Sequence, residues 1–239
     1  MTEVHRRRHG LSYVQKWFAR RTKAGDLLRL VAYFQFLGAR PAVGFIRRTF
    51  RTVHIDLGRE PDAILAEMHR NVRAEIRRAE GEGISWSADV DPSRFASYHA
   101  AFAREKGIEG VDLWRLESFG SALLLTRAER DGQVLAQHAY LVDRAEARAR
   151  FLYSSSGRFE GANPALVGRA NRWCHWRDML HLRGQGIRTY DLGGIAWGTE
   201  AAEQRAGIDE FKMRLGGTVV QEDHWLSPLY ALAAVLGMR

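Results

Sequence analysis

The stretch that decides the fold spans residues 148–194 and reads RARFLYSSSGRFEGANPALVGRANRWCHWRDMLHLRGQGIRTYDLGG. Residues 148–154 form a strand-like run, and residues 187–192 have the pattern of a buried strand. Between them, residues 164–183 form a long helical stretch that begins with a proline and ends before two glycines. A strand, a helix and a second strand in this order predict a β-α-β crossover.

The segments on either side of this stretch complete the pattern of an α/β domain. Upstream lie strands over 52–57, 121–127 and 134–142, the turn signal Asp131-Gly132, and helices that open at Pro61 and Pro92; downstream lie a helix over 200–215, broken by Gly207, and a strand over 218–225. The order β-α-α-β-β-β-α-β-α-β predicts a mixed, mostly antiparallel sheet flanked by helices. This order is similar to that of the GNAT N-acyltransferase fold.

Charge is distributed unevenly along the chain. The formal net charge is +8, but residues 1–52 hold twelve Lys and Arg against two acidic residues, so the remainder is slightly negative. The single cysteine, Cys174, excludes an internal disulfide framework and any CxxC metal or redox motif. No N-terminal stretch has the features of a secretory signal. We therefore expect a cytoplasmic protein without a bound metal.

The basic N-terminal segment also contains an apolar run over residues 27–37. The combination predicts an amphipathic helix in a membrane interface, because Lys and Arg side chains would reach anionic headgroups on the inner face of the cell membrane. The alternative is that the run packs on the domain, against the apolar C-terminal residues 226–236. The sequence thus predicts a basic extension over 1–51, a domain over 52–226 and an apolar C-terminal helix over 227–239.

Three motifs point to a family. They are His54-Ile55-Asp56-Leu57 with the later helix NVRAEIRRAE over 71–80, the run YDLGG over 190–194, and the run GIDEFKMRLGG over 207–217. In this order they resemble the Fem-type enzymes of the GNAT superfamily, which build peptidoglycan cross-bridges. The resemblance covers about residues 52–226, without a duplicated domain or a coiled-coil insertion. It implies acyl or aminoacyl transfer to an amine.

Lys212 is the first candidate catalytic residue. Acyl transfer to an amine develops negative charge on the carbonyl oxygen, and a cation placed there lowers the barrier. Lys212 lies at the margin of an amphipathic helix that packs through Ile208, Phe211 and Leu215. A solvated helix lysine is the alternative. Leu215 stands where the Fem-type motif has phenylalanine.

Two further residues are candidate bases. Asp191 follows a strand, where α/β folds collect ligand-binding groups, and it could orient or deprotonate the acceptor amine, or it could cap a turn. His175 lies between two tryptophans on the long helix and titrates near neutral pH, although a packing histidine is the alternative. The neighbouring motif residues Tyr190 and Phe211 are predicted to contact substrate.

The donor is left open between two classes. The segment Arg158-x-x-Gly161-x-Asn163 partly matches the pyrophosphate loop of coenzyme A-dependent GNAT enzymes, so Arg158, Gly161 and Asn163 are candidate contacts of an acyl-CoA cosubstrate. With aminoacyl-tRNA as the donor, the arginine-rich helix would supply the phosphate contacts, Arg73 and Arg77 among them. The sequence favours acyl-CoA as the donor.

The acceptor is expected to be an amine-bearing sugar or peptide precursor of the cell envelope, free or lipid-linked. A different class of function, a non-catalytic module that binds membrane or nucleic acid through residues 1–52, is also considered. Lys212 and Asp191 within intact motifs speak against it, because such a module needs neither residue.

Overall fold

The computed structural model describes residues 1–8, 10–88, 90–157, 161–196 and 202–237. The chain divides into two compact units, which are described separately below. Unit 1 comprises Met1–Thr52 and Val219–Arg239, and unit 2 comprises Val53–Thr218.

Unit 1 is built on strands. They are β1 (Thr2–Arg8), β2 (Leu11–Trp17), β3 (Val31–Phe36), the first part of β4 (Ile46–Asp56) and almost all of β10 (Thr218–Leu226). β1 and β2 form an antiparallel hairpin, β2 runs parallel to β3, and β3 is antiparallel to β10. A 3₁₀ helix over Ala24–Leu28 and helix α7 (Pro228–Val235) complete the unit.

The predicted N-terminal helix is wrong, because the apolar run forms β3. Val31 and Tyr33 pack on one side with Phe45 and Trp225. The intervening Ala32 and Phe34 pack on the other side against Tyr230 and Ala231 of α7. Alternation with period two is the geometry of a strand, and a strand buried on both faces has a continuous apolar run. Within unit 1 the run therefore packs against the C-terminal helix, which was the alternative interpretation.

Unit 2 has the predicted α/β architecture. Its elements are the end of β4, α1 (Pro61–Glu67), α2 (Arg70–Glu80), β5 (Ser85–Ser87), α3 (Pro92–Lys106), α4 (Leu113–Glu117), β6 (Leu123–Arg130), β7 (Gln133–Asp143), β8 (Arg148–Ser156), α5 (Pro164–Gly184), β9 (Thr189–Gly194) and α6 (Ala202–Arg214). Strands β5 to β8 form an antiparallel meander, and β9 adds to β8 in parallel. The predicted crossover through α5 is confirmed.

Two local features test the turn signals. At the β6–β7 turn, Asp131 and Gly132 have φ values of 52° and 77°, which is the two-residue hairpin geometry that the Asp-Gly signal predicts. Gly207 does not break the helix predicted over 200–215, because α6 continues through this glycine. A helix tolerates an interior glycine at a cost of about 1 kcal/mol.

The single helix expected after Pro61 is two helices. Met68 is extended at the end of α1, and His69 caps α2, whose Asn71 amide donates to the His69 ring. The His69 amide itself donates to the carbonyl of Arg214 at 2.9 Å. The chain thus bends where the buried Met68 side chain enters the core of unit 2.

Candidate active site

A cavity of about 760 Å³ opens in unit 2 where β8 and β9 stop pairing. The parallel ladder covers only Arg148–Arg150 against Thr189–Asp191. Beyond it, residues 150–154 of β8 and 192–194 of β9 both line the cavity, which α3, α5 and α6 close from other sides. The carboxyl ends of parallel strands are where α/β folds collect their ligand sites.

Lys212 lies in the wall of this cavity. Its side chain is buried, and its Nζ donates a hydrogen bond to the carbonyl oxygen of Gly194 at 2.6 Å. The neighbouring Phe211 also lines the cavity. Leu215 is buried as predicted, whereas Ile208 is exposed and does not belong to the packed side of the helix. The alternative of a solvated helix lysine is therefore excluded, and the ammonium group is held at a fixed point beside the end of β9.

The charged residues of the wall are mostly cations. Among the described residues of the wall they are Lys106, Arg150, Arg172 and Lys212, against the carboxylate of Glu109. The guanidinium of Arg172 is held by Glu75 at 2.8 Å and lies over the ring of Phe211, 5.6 Å from its centroid. A wall with this charge fits a substrate that carries a phosphate or carboxylate group.

His175 reaches the same cavity from α5. Its ring packs against Phe151 and Phe211, with centroid distances of 4.9 and 5.5 Å. Its Nδ1 lies 2.6 Å from the hydroxyl of Tyr190. Burial, and then the nearby charges of His138, Lys212 and Arg172, hold the pKa of His175 well below its usual value, so the imidazole is neutral at physiological pH.

Asp191 does not reach the cavity as a free base. Its carboxylate is fully buried and accepts hydrogen bonds from Arg148, from Arg150 Nη1 at 3.1 Å and from the amide of Gly193 at 2.8 Å. Burial alone raises the pKa of Asp191, but the charges and hydrogen bonds of Arg150, His54 and Arg148 outweigh it and hold the pKa well below the usual range. The predicted role as a base is therefore not supported: Asp191 positions Arg150.

Three other predicted substrate contacts, Tyr190, Arg73 and Arg77, do not line the cavity. Tyr190 is fully buried, and its hydroxyl contacts His175 behind the wall. Arg73 instead donates to the carbonyls of Ala66 and Met68, where it satisfies the end of α1. Arg77 is exposed on α2 and does not line the cavity. Neither arginine is brought together with Lys212.

The structure describes the predicted donor loop only from Gly161 onward. Arg158 lies outside the described residues, and Gly161 is exposed, with a φ of 77° and open space where a Cβ would stand. Asn163 caps α5: its Oδ1 accepts from the amides of Ala165 and Leu166, and its carbonyl accepts from Val167. Since Pro164 has no N–H, the first turn of α5 has no amide left for a pyrophosphate.

Sequence reasoning missed three buried residues behind the cavity. The carboxylate of Asp178 accepts from the Tyr140 hydroxyl at 2.5 Å and from Trp86 Nε1 at 2.8 Å, and it lies 2.7 Å from His138 Nδ1. The available signal was the position of Asp178, three residues after His175 and four after Cys174 on the apolar side of a helix. His138 and Tyr140 alternate on one face of β7.

These buried groups are close enough to raise the question of a metal. One ligand atom from each of His138, His175 and Asp178 lies within 4.8 Å of the others. Both Nδ1 atoms and the carboxylate already take part in hydrogen bonds, so a metal ion would have to displace that network.

Comparison with known proteins defines the fold. No family model and no curated protein matches the sequence. Among solved structures, FemX matches with a TM-score of 0.65 at 14% identity, over 82% of this chain and 65% of FemX. The C-terminal domain of a putative lysylphosphatidylglycerol synthetase from Agrobacterium fabrum matches with a TM-score of 0.59 at 12% identity, over 86% of this chain and 72% of that one.

A third structure supports the same conclusion. L-PGS from Bacillus licheniformis has a TM-score of 0.58 at 11% identity, over 98% of this chain and 83% of that one. This chain spans less than two thirds of the length of FemX. At these identities the likeness concerns the fold alone. The chain has a Fem-like GNAT fold, as its three motifs predicted.

Proposed function

We propose that this protein is an N-acyltransferase that moves an aminoacyl group onto an amine of a cell-envelope precursor. The observation that carries the proposal is the cavity at the end of the β8–β9 pair, which gathers Lys212 and His175. Acyl transfer to an amine needs a fixed cation at the carbonyl oxygen and a base for the amine proton. Lys212 supplies the first group and neutral His175 the second. The Fem-like fold supports the transferase class at a coarse level.

The donor in this proposal is aminoacyl-tRNA rather than acyl-CoA. A coenzyme A pyrophosphate would have to displace the cap that Asn163 forms on the first turn of α5. A tRNA needs a broad basic surface, and unit 1 supplies one through exposed residues such as Arg47, Arg48 and Arg51. This reverses the preference that the sequence alone suggested.

The acceptor is best matched by an anionic, lipid-linked precursor. The cations of the cavity wall favour a phosphate or carboxylate beside the reacting amine. In unit 1, α7 exposes an apolar stripe of Leu229, Leu232 and Leu236, at the spacing of one helix face. Exposed Leu28 and Arg29 line a cleft together with Leu229. An apolar stripe on a basic unit complements an anionic bilayer surface.

No helix in the described part of the chain is long and apolar enough to cross a bilayer. The membrane contact proposed here is therefore interfacial, with the α7 stripe as the apolar part and the basic residues of unit 1 as the electrostatic part. It would hold the protein at the surface that carries lipid-linked acceptors.

A donor screen tests the proposed function. The full chain is incubated with total tRNA charged with labelled amino acids, or with a set of acyl-CoA thioesters, and with amine-bearing nucleotide-linked and lipid-linked peptidoglycan precursors. We expect a product heavier by one aminoacyl residue, and we expect ribonuclease treatment of the donor to abolish it. Transfer from an acyl-CoA after ribonuclease treatment would reverse the choice of donor. A lack of transfer from every donor would contradict the proposed function.

A further inference from the structure

A buried chain of hydrogen bonds runs from the cavity into unit 2 and ends at a carboxylate. His175 Nδ1 lies 2.6 Å from the Tyr190 hydroxyl, which lies 2.7 Å from the Tyr140 hydroxyl, which donates to Asp178 at 2.5 Å. All four side chains are buried, and they come from α5, β9 and β7. Buried polar networks of this kind fix the orientation of their members.

The direction of this chain follows from its last bond. The Tyr140 proton goes to Asp178, so the Tyr140 oxygen has to accept the proton of Tyr190. The Tyr190 hydroxyl therefore donates to Tyr140, and the Tyr190 oxygen accepts a hydrogen bond from His175. Consequently His175 carries its proton on Nδ1, and the lone pair is on Nε2. Burial, and then the Asp178 charge, raise the pKa of Tyr140 and Tyr190 well above the usual value, so both hydroxyls stay protonated.

Asp178 itself is held in place by further groups from β5 and β7. Trp86 Nε1 donates to Oδ1 at 2.8 Å, and His138 Nδ1 lies 2.7 Å from Oδ2. The other ring nitrogen of His138 lies 3.0 Å from Oδ1 of Asn171, a residue of the cavity wall. Both carboxylate oxygens therefore have hydrogen-bond partners. The Tyr140 hydroxyl also lies 3.2 Å from His138 Nδ1, but its contact with Asp178 is much shorter, so it donates to the carboxylate.

We infer that Asp178, Tyr140 and Tyr190 form a relay that fixes the Nδ1–H tautomer of His175, so that Nε2 is the base that takes the proton of the acceptor amine. The inference rests on the proposed function. In the reaction the amine nitrogen forms a bond to the acyl carbon, and the ester bond between that carbon and the donor oxygen breaks. The amine proton moves to Nε2 of His175 and from there to the leaving hydroxyl. His175 is the catalytic residue, and the other three are positioning residues.

The tautomer can be measured without any substrate. In protein labelled with ¹⁵N-histidine, long-range ¹H–¹⁵N spectra separate protonated from unprotonated ring nitrogens, and His175→Gln identifies the signals of His175. We expect wild-type His175 to be neutral with Nδ1 protonated. Tyr190→Phe removes the hydroxyl that accepts from Nδ1, so this preference should be lost. Tyr98→Phe is the matched control, because its hydroxyl donates to the Val134 carbonyl outside the relay.

Kinetics test the second half of the inference. Once a transfer assay exists, Tyr190→Phe should lower kcat by about ten-fold to a hundred-fold with little change in KM, whereas Tyr98→Phe should keep both constants. If Tyr190→Phe fails to fold, Tyr140→Phe interrupts the same relay one step further in. A wild-type His175 protonated on Nε2, or a tautomer unchanged in the relay variants, would overturn the relay even if transfer is found. The predicted tautomer together with full kcat in Tyr190→Phe would overturn the role as base.

Discussion

The two units of this chain use charge in opposite ways. Unit 1 holds thirteen of the 36 Lys and Arg but only four of the 28 acidic residues, whereas unit 2 is close to neutral. Unit 1 exposes much of its positive charge and an apolar stripe on α7. Unit 2 buries charged groups such as Asp191, Arg148 and Lys212 around its cavity. Substitutions in the interior of unit 2 should therefore affect folding and chemistry, and substitutions on the surface of unit 1 should affect location.

Each unit also buries a carboxylate that is paired with a Lys or Arg side chain. In unit 1, Asp26 accepts from Lys16 at 2.7 Å and from the Tyr33 hydroxyl. In unit 2, Asp191 is bound by the two guanidinium groups of Arg148 and Arg150. Burial raises the pKa of Asp26, but the hydrogen bonds and charges around it outweigh burial, and the net pKa is lowered, as it is for Asp191.

The largest effect is expected from Asp191→Asn. The substitution removes the negative charge that binds buried Arg148 and half-buried Arg150, and breaking a buried ion pair on one side costs about 3–5 kcal/mol. Asp26→Asn leaves a single ammonium group and is expected to lower the free energy of unfolding by less. Urea denaturation of both variants and the wild type measures the difference. If Asp26→Asn were less stable than Asp191→Asn, the expected order of the two effects would be wrong.

Acid titration checks the same pair by another route. Both carboxylates have a folded pKa below their unfolded value of about 4. Such groups bind fewer protons in the folded state, so their stabilisation is complete above the unfolded pKa and is lost as the pH falls through the folded one. Stability of the wild type should thus decline below about pH 5, and the decline should be shallower in Asp191→Asn.

The next effect in size concerns Lys212. Lys212→Ala should lower turnover by at least about a hundred-fold, as expected when a cation at a developing oxyanion is removed. Lys212→Arg should restore little, because a planar guanidinium does not replace a compact ammonium group. The fold should persist, and this is checked by thermal unfolding. Lys23→Ala, an exposed lysine of unit 1, is the control, and near-normal turnover in Lys212→Ala would exclude the assignment.

The fold of unit 2 was predictable where local signals were strong. The Asp131-Gly132 turn, the proline that opens α5 and the glycines after it all mark element boundaries in the sequence. Strand β3 was missed for a physical reason. Both of its faces are buried, so its apolar residues are contiguous and lack the alternation that distinguishes a strand from a helix.

The site was predictable only in part. Motif context and helix amphipathicity led to Lys212, and His175 was found as a histidine between two tryptophans on a helix. The role of Asp191 was mistaken because its partners Arg148 and Arg150 precede it by about forty residues, and only the β8–β9 register brings them together. The relay to Asp178 was missed for the same reason, since Tyr140 and Tyr190 meet through tertiary structure alone.

The smallest effect tests the surface of unit 1. Leu232 is 57% exposed in the α7 stripe, and Leu232→Glu should weaken binding to phosphatidylglycerol vesicles by about ten-fold, because burial of a leucine in a bilayer interface is worth about 1.5–3 kcal/mol. Val43→Glu is the matched control: it adds the same charge to unit 1 at an exposed apolar residue outside α7. Vesicle sedimentation at low salt measures both variants. An equal loss in the two would mean that charge alone drives binding. No binding of the wild type to anionic vesicles would remove membrane attachment from the proposed function and leave the cavity chemistry of unit 2 untouched.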